Sequence, residues 1–320
     1  MFELTGSCRI ANNTMPLIVS NPPRVVVTGA SGLLGRAVVK AFKEGGYDVV
    51  GTAYSRATED LRKLDLTDFA AVKAFVAEQK PQIIIHCAAE RRPDVAQNNR
   101  EGVQQLNVAA TENLAQAAKD NNAWLVYIST DYVFDGTNPP YEPQDQVNPL
   151  NFYGQTKYAG EEAVQRVNPS AAILRVPILY GEVEYNGESA VNVLLDVIKK
   201  SDAPVSMDDY QVRYPTNVAD VAKILKQMAD KVALNKQQLS GIYHFSSKEK
   251  MSKYSICETI AKLSNLPYSH LTPLRDAPKE PVASRPHDAH LATTRLEQIG
   301  INVSCVPFEQ WWKEYLAKKA

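Results

Sequence analysis

The sequence predicts an α/β protein: a doubly wound parallel sheet with a smaller, interleaved C-terminal lobe. Two observations carry this. From Arg24 to about Gly181, short apolar runs alternate with segments of helical spacing. Each strand-like run is apolar almost throughout, as strands are when helices cover both faces of a sheet.

RVVVTG is a β-branched run ending in Gly29, and Leu33 to Glu44 has helical spacing that stops at Gly45-Gly46. YDVVGTAY reads as the second strand. Thr67 to Gln79 reads as a helix with Thr67 as its N-cap. QIIIHCAA is a third strand and Asp94 to Lys119 is largely helical. WLVYIST is strand, Asn151 to Val167 helix, and AAILRVP strand. Beyond Gly181 the alternation loosens. Ser189 to Lys200 reads as helix, VRYPTNVADVAKILKQMA as a turn plus helix, and GIYHFSS as strand; the remainder of the chain is Pro-rich and mixed. Phe308, Trp311, Trp312, Tyr315 and Leu316 mark a final amphipathic helix, a core-packing face by default and a partner-docking face as the sharper alternative. The expected organisation is an irregular arm over 1–23, a dinucleotide-binding domain over 24–181 and a smaller substrate or partner lobe over 182–320. Residues 216–246 are expected to return to the main sheet.

The chain has 320 residues, long enough for a large core without metal or disulfide staples. Its 35 basic and 36 acidic residues leave a net charge of −1, which supplies no footprint for nucleic acid or an anionic membrane. No apolar run is long enough to span a bilayer, and the N-terminus lacks the basic and apolar regions of a secretory signal. Cys8, Cys87, Cys257 and Cys305 form no CxxC pair, which suits idle thiols in a reducing compartment. The expectation is a soluble cytoplasmic protein.

The strongest local signal is Thr28-Gly29-Ala30-Ser31-Gly32-Leu33-Leu34-Gly35, between a strand and a helix. Gly29 permits a tight turn, Gly32 lets backbone approach a pyrophosphate, and Gly35 lets the helix pack closely on the strand. The helix N-terminus then offers N–H groups to phosphate. The bland alternative is a tight strand-to-helix turn, but the context is that of a Rossmann-type dinucleotide site. The second strand ends Ala53-Tyr54-Ser55-Arg56, with no acid at its tip. A guanidinium there suits a 2′-phosphate, so the cofactor reads as NADP; the other reading of Arg56 is a solvated loop charge.

Tyr153 and Lys157 lie four apart on one helix face. A lysine cation beside a phenol favours the phenolate, so the pair could exchange a proton with a carbinol oxygen. The same ammonium could hold the nicotinamide ribose. WLVYIST delivers Thr130 at a strand's C-terminal end, where it could orient a substrate oxygen. Each feature alone is common; the ordinary reading of Tyr153 and Lys157 is an exposed helical pair. His287 and His290 could share a helical turn, but nothing completes a metal site, and none is expected. His86-Cys87 reads as packing beside a cofactor, Arg91-Arg92 as solvated charges or anion contacts, and Arg285-Pro286 as a loop or a substrate-phosphate contact.

TGASGLLG, STDYVFDG, LNFYGQTK and SRPHDAHL resemble the extended short-chain dehydrogenase/reductases close to dTDP-4-dehydrorhamnose reductase. GSCR, HCAAERRPDV, DYVFDGTNPPY, LRVPILYGEVE with ESAV, and RYPTNVADVA resemble one branch more closely, the regulatory β subunits of methionine adenosyltransferase. The resemblance runs from about Gly6 to about Gly300. It implies an NADP-binding subunit that docks on a methionine adenosyltransferase catalytic subunit and tunes S-adenosylmethionine synthesis. Motif positions imply cofactor contacts at Ser31, Gly32, Leu33, Leu34, Tyr54, Ser55, Arg56, Asp65, Leu66, Cys87, Ala88, Arg91, Tyr153, Lys157 and Leu179. Two segments depart from the pattern. The ending PFEQWWKEYLAKKA is closer to the reductases than to the longer tail of vertebrate β subunits, and LATTRL replaces the reductases' acid-bearing LDTSKL-type segment. The alternative reading is an active NADPH-dependent reductase of a nucleotide-linked 4-keto-6-deoxy sugar.

Overall fold

Described in the computed structural model are residues 22–277 and 283–319; the expected arm up to residue 21, with Cys8, lies outside them. Strand β1 (Arg24–Thr28), helix α1 (Leu33–Glu44) and strand β2 (Asp48–Ala53) form the first crossover unit, with Val25 opposite Val49 in a parallel pair. α1 stops where the Gly45 N–H turns back to the Ala41 carbonyl and the Gly46 N–H to the Lys43 carbonyl, with Gly46 at φ +80°.

A short strand β3 (Leu61–Lys63) extends the edge beside β2. Helix α2 runs Phe69–Gln79, and its cap is Asp68 rather than Thr67. The Asp68 carboxylate accepts the Ala71 N–H at 3.0 Å, whereas Thr67 turns its N–H and hydroxyl back to Asp65. Strand β4 is Ile83–His86. The expected long helix after it is broken into α3 (Pro93–Asn98), α4 (Arg100–Gln104), a π-turn over Gln105–Ala109, and α5 (Ala110–Asp120). Asn99 ends α3 and caps α4, its side chain accepting the Gly102 N–H.

Strand β5 (Trp124–Thr130), helix α6 (Phe152–Val167) and strand β6 (Ala172–Val176) come after α5. Next come β7 (Leu179–Tyr180), α7 (Leu194–Lys199), β8 (Val205–Asp208), β9 (Thr216–Asn217), α8 (Val218–Ala233) and β10 (Gly241–His244). α7 is only the end of the expected Ser189–Lys200 helix. The Ser189 hydroxyl accepts the Val191 and Asn192 N–H groups and holds the start in an irregular turn. The stretch read as mixed holds α9 (Lys253–Ser264), started by reciprocal Ser252–Ser255 capping, then β11 (Leu271–Leu274). Helices α10 (Thr294–Gln298) and α11 (Phe308–Ala317) close the chain.

Among the described residues, seven strands form one parallel sheet in the order β10-β6-β5-β4-β1-β2-β3. The direction of winding reverses between β1 and β4, which opens a crevice at the C-terminal ends of those two strands. Within a strand, alternate residues serve opposite faces. Val25, Val27, Ile83, Ile85, Val126 and Leu174 pack with α1 and α8 on one face. Val26, Ile84, Leu125, Tyr127 and Ile173 pack with α2 and α5 on the other. A separate apolar cluster joins α7, α9 and α11 through Ile198, Ile256, Ile260, Phe308 and Trp312, and forms the smaller lobe. No helix among the described residues is long and apolar enough to cross a membrane.

Candidate functional site

The crevice is framed by the turn after β1. Gly29 adopts φ +65°, and a Cβ on it would lie 2.8 Å from the Ala88 backbone, so only glycine lets this turn touch the loop after β4. A Cβ on Gly35 would lie 2.1 Å from the Gly29 carbonyl oxygen, which is why α1 can start directly against the turn. Gly32 caps α1 with extended backbone, no side-chain cap bond and no acid in the first turn. The first-turn amides therefore meet no anionic side chain of their own helix, as an anion cradle requires. Beneath the turn, the Thr28 hydroxyl bonds His86 Nδ1 at 2.7 Å, and His86 Nε2 bonds the Thr111 hydroxyl at 3.0 Å. Burial holds this imidazole neutral, its pKa down at about 3, with the Lys157 charge adding to the effect.

Tyr54, Ser55 and Arg56 are exposed at the tip of β2. Beside them the Asp65 carboxylate accepts the Thr67 N–H and hydroxyl, fixing the Asp65-Leu66 corner beyond β3. A cleft of about 650 Å³ between α1 and β2 is lined by Ser31, Arg36, Gly51, Arg56 and Leu61 among others; Tyr153 and Lys157 lie outside it. Arg56 is not a free loop charge. Its Nη1 lies 2.7 Å from Glu188 and 3.4 Å from Glu184. Arg36 holds the same Glu188 carboxylate through both terminal nitrogens, at 3.1 and 2.6 Å, and Arg91 donates to the Glu188 carbonyl. Burial opposes ionisation of Glu188, but the Arg36 guanidinium, the Glu184 N–H and the Arg56 guanidinium outweigh it and hold the pKa at about 2.

At the other end of the crevice, Thr130, Tyr153 and Lys157 come from β5 and α6. Asn151 sets the start of α6: its Oδ1 accepts the Gly154 N–H at 2.9 Å, and its amide donates to the Ser284 carbonyl. The Thr130 hydroxyl stands beside the Tyr153 phenol, and the Tyr132 ring meets the Tyr153 ring edge-on at 6.0 Å. The electrostatics differ from the expected Lys157-lowered phenol. Burial raises the Tyr153 pKa, with the Thr130 hydroxyl opposing it. Burial likewise lowers Lys157 to about 7, against the opposing pull of Glu161 and Cys87. The ammonium lies over the Tyr127 ring, 4.0 Å from its centroid. Low dielectric disfavours the charged form of both groups, and this outweighs their proximity along the helix.

These shifts make stability depend on pH. Between about pH 7 and 10.5 the unfolded chain keeps the Lys157 proton that the folded chain has released, so stability from this residue rises with pH across that window. Lys157→Met is therefore expected to stabilise the protein at pH 6.5 and to bring little gain near pH 10.5. Urea midpoints at the two pH values, compared with the parent chain, measure it; an equal shift at both rejects it.

Several residues around the crevice carry little signal in the sequence. Asn107, buried in the π-turn, accepts the Glu90 N–H and donates to the Glu90 carbonyl and the Thr156 hydroxyl, pinning the loop after β4 to α6. A lone Asn in an otherwise apolar-faced helix was its only signal. Asp131 is raised to about 7 by burial, against the Thr130 hydroxyl and the Arg213 charge. Glu184 and Glu188 belonged to a resembling segment but carried no assigned role. Other candidates resolve simply. Arg92 pairs with Glu90, and Arg285 with Asp94. The His287–His290 stretch is not helical: His290 stacks on Tyr214 at 3.9 Å and His287 leans on Tyr210. Leu179 and Cys87 are half-buried at the crevice.

Residues 23–320 match the family model of the RmlD substrate binding domain. The chain is 46% identical over 313 residues to methionine adenosyltransferase 2 subunit beta of Bos taurus, covering 97% of this chain and 91% of that protein. It is 32% identical to a dTDP-4-dehydrorhamnose reductase of Aggregatibacter actinomycetemcomitans, covering 86% of this chain and 92% of the reductase. Among solved structures, dTDP-4-dehydrorhamnose reductase of Bacillus anthracis in complex with NADP superposes with a TM-score of 0.79 at 29% identity, covering 93% of this chain and 98% of that one.

Proposed function

The chain belongs to the RmlD substrate binding domain family, on the branch named for subunit beta of methionine adenosyltransferase, and from that membership we propose that it is an NADP-binding regulatory subunit. It docks on a methionine adenosyltransferase catalytic subunit in the cytoplasm and modulates S-adenosylmethionine synthesis, within one-carbon metabolism. The observation that carries this reading is the 46% identity across nearly the whole length of a β subunit. Mixing the purified chain with a methionine adenosyltransferase catalytic subunit at micromolar concentration is expected to give a stoichiometric complex on gel filtration. Separate elution of the two proteins rejects the reading.

The residues around the crevice fit a phosphorylated dinucleotide. The uncapped start of α1 at Gly32, Leu33 and Leu34 would offer amides to the pyrophosphate, and Arg56 with Ser55 would hold the 2′-phosphate. Leu66 and Asp65 would border the adenine, and Cys87, Ala88, Leu179 and Lys157 would border the nicotinamide riboside. At a hundredfold excess over Kd such a ligand stabilises the fold by about 2.7 kcal/mol, a structural role that needs no turnover. Arg56→Ala is expected to weaken NADP+ binding by roughly tenfold or more, the size of one charge-assisted hydrogen bond, and to leave NAD+ binding nearly unchanged. Calorimetry with both nucleotides measures this; equal losses for the two reject the assignment of Arg56.

A second reading is favoured by Thr130 standing beside Tyr153: an NADPH-dependent reductase of a nucleotide-linked 4-keto-6-deoxy sugar. The bound nicotinamide supplies hydride for such a reduction. Thr130 orients the carbonyl oxygen, Tyr153 delivers its proton there, and Lys157 sets the charge of the pocket. Following the nicotinamide absorbance with a dTDP-4-keto-6-deoxy sugar tests it. Tyr153→Phe is expected to lower turnover by roughly 10²- to 10⁴-fold, and turnover that survives the substitution removes the reading.

A further inference from the structure

The tip of β2 carries no acid in sequence, yet the fold brings two there. The segment after β7 returns across the crevice, and its Glu188 carboxylate is gripped by Arg36 and Arg56 at 2.6 and 2.7 Å. Glu184 lies 3.5 and 3.4 Å from the same two guanidiniums. Arg36 and Arg56 are thus each matched by carboxylates before any ligand arrives. Arg91 keeps its charge but engages the Glu188 backbone carbonyl rather than either carboxylate. The Glu188 side chain is 4% exposed, so little solvent screens it.

We propose that Glu184 and Glu188 are specificity-determining residues that restrain the preference of this crevice for a 2′-phosphorylated dinucleotide. The inference rests on the cofactor reading above and deepens it. A 2′-phosphate approaching Arg56 brings up to two negative charges against a guanidinium already neutralised, and must separate that ion pair or sit beside its carboxylates. A free 2′-hydroxyl meets no such opposition and can donate to a carboxylate, as it does where an acid ends β2. The segment after β7 therefore supplies, from more than a hundred residues downstream, the group that the β2 tip lacks, and the site accepts both NADP and NAD.

The test is calorimetry of the full chain with NADP+ and NAD+, on the parent, Glu188→Gln and Glu184→Gln. The expected result is that Glu188→Gln raises the ratio of NAD+ Kd to NADP+ Kd by roughly tenfold or more, with a smaller rise for the more exposed Glu184→Gln. Thermal melts check that each variant is folded. Should Glu188→Gln not fold, Glu184→Gln, at 57% side-chain exposure, still decides the matter. A parent that binds NADP+ with ratios unchanged in the folded variants, or shifted toward NAD+, overturns this inference alone. A parent that binds neither nucleotide overturns the cofactor reading and this inference with it.

Discussion

Glu161→Ala is expected to lower the free energy of unfolding by about 3–5 kcal/mol, the cost of leaving a buried charge without its partner. Glu161 and Arg175 are each 1% exposed and meet in a two-pronged pair at 2.9 and 2.6 Å. Arg175 also contacts His244 Nε2 at 3.3 Å and lies over the Phe134 ring, so α6, β6 and β10 converge on one guanidinium. Urea unfolding measures the loss. The double substitution Glu161→Leu with Arg175→Met is expected to recover most of it, because apolar packing replaces a desolvated pair at little net cost. A double variant as unstable as the single one would show that shape, not uncompensated charge, sets the penalty. Glu161 lies one turn beyond Lys157 and supports its protonation. The same substitution therefore shifts Lys157 further toward its neutral form.

Gly35→Ala carries the second large effect. The added methyl lands 2.1 Å from the Gly29 carbonyl oxygen and 2.8 Å from the Ala30 Cα, both backbone atoms that cannot rotate away. Overpacking of this kind costs about 1–3 kcal/mol. Relief comes from moving α1 off the turn, which withdraws the first-turn amides from the phosphate position. The expected outcome is a lower melting temperature together with a rise in NADP+ Kd of about 10- to 100-fold, equivalent to one or two charge-assisted hydrogen bonds. Unchanged affinity in a folded Gly35→Ala protein would remove the turn from the binding site.

What was legible in sequence was local. The limits of α1 at Leu33 and Glu44, the extent of β5 from Trp124 to Thr130, and the glycine turn between β1 and α1 follow from periodicity and backbone freedom within a few residues. α9 was legible in principle through its Ser252 cap, but its Pro-rich surroundings obscured it. The break at the π-turn left no pattern of its own, since its residues suit an ordinary helix.

The charges of the site belong to the tertiary structure. Tyr153 and Lys157 are correctly spaced on paper, yet burial under neighbouring elements, not their spacing, sets both pKa shifts. Arg56 looks unopposed in the chain and is paired in the fold, because the carboxylates that meet it are 128 and 132 residues away. Periodicity acts through neighbours along the backbone, so sequence determined the α/β frame and the glycine turn. Desolvation and ion pairing depend on which surfaces the frame brings together, so only the packed molecule decided the electrostatics of the crevice.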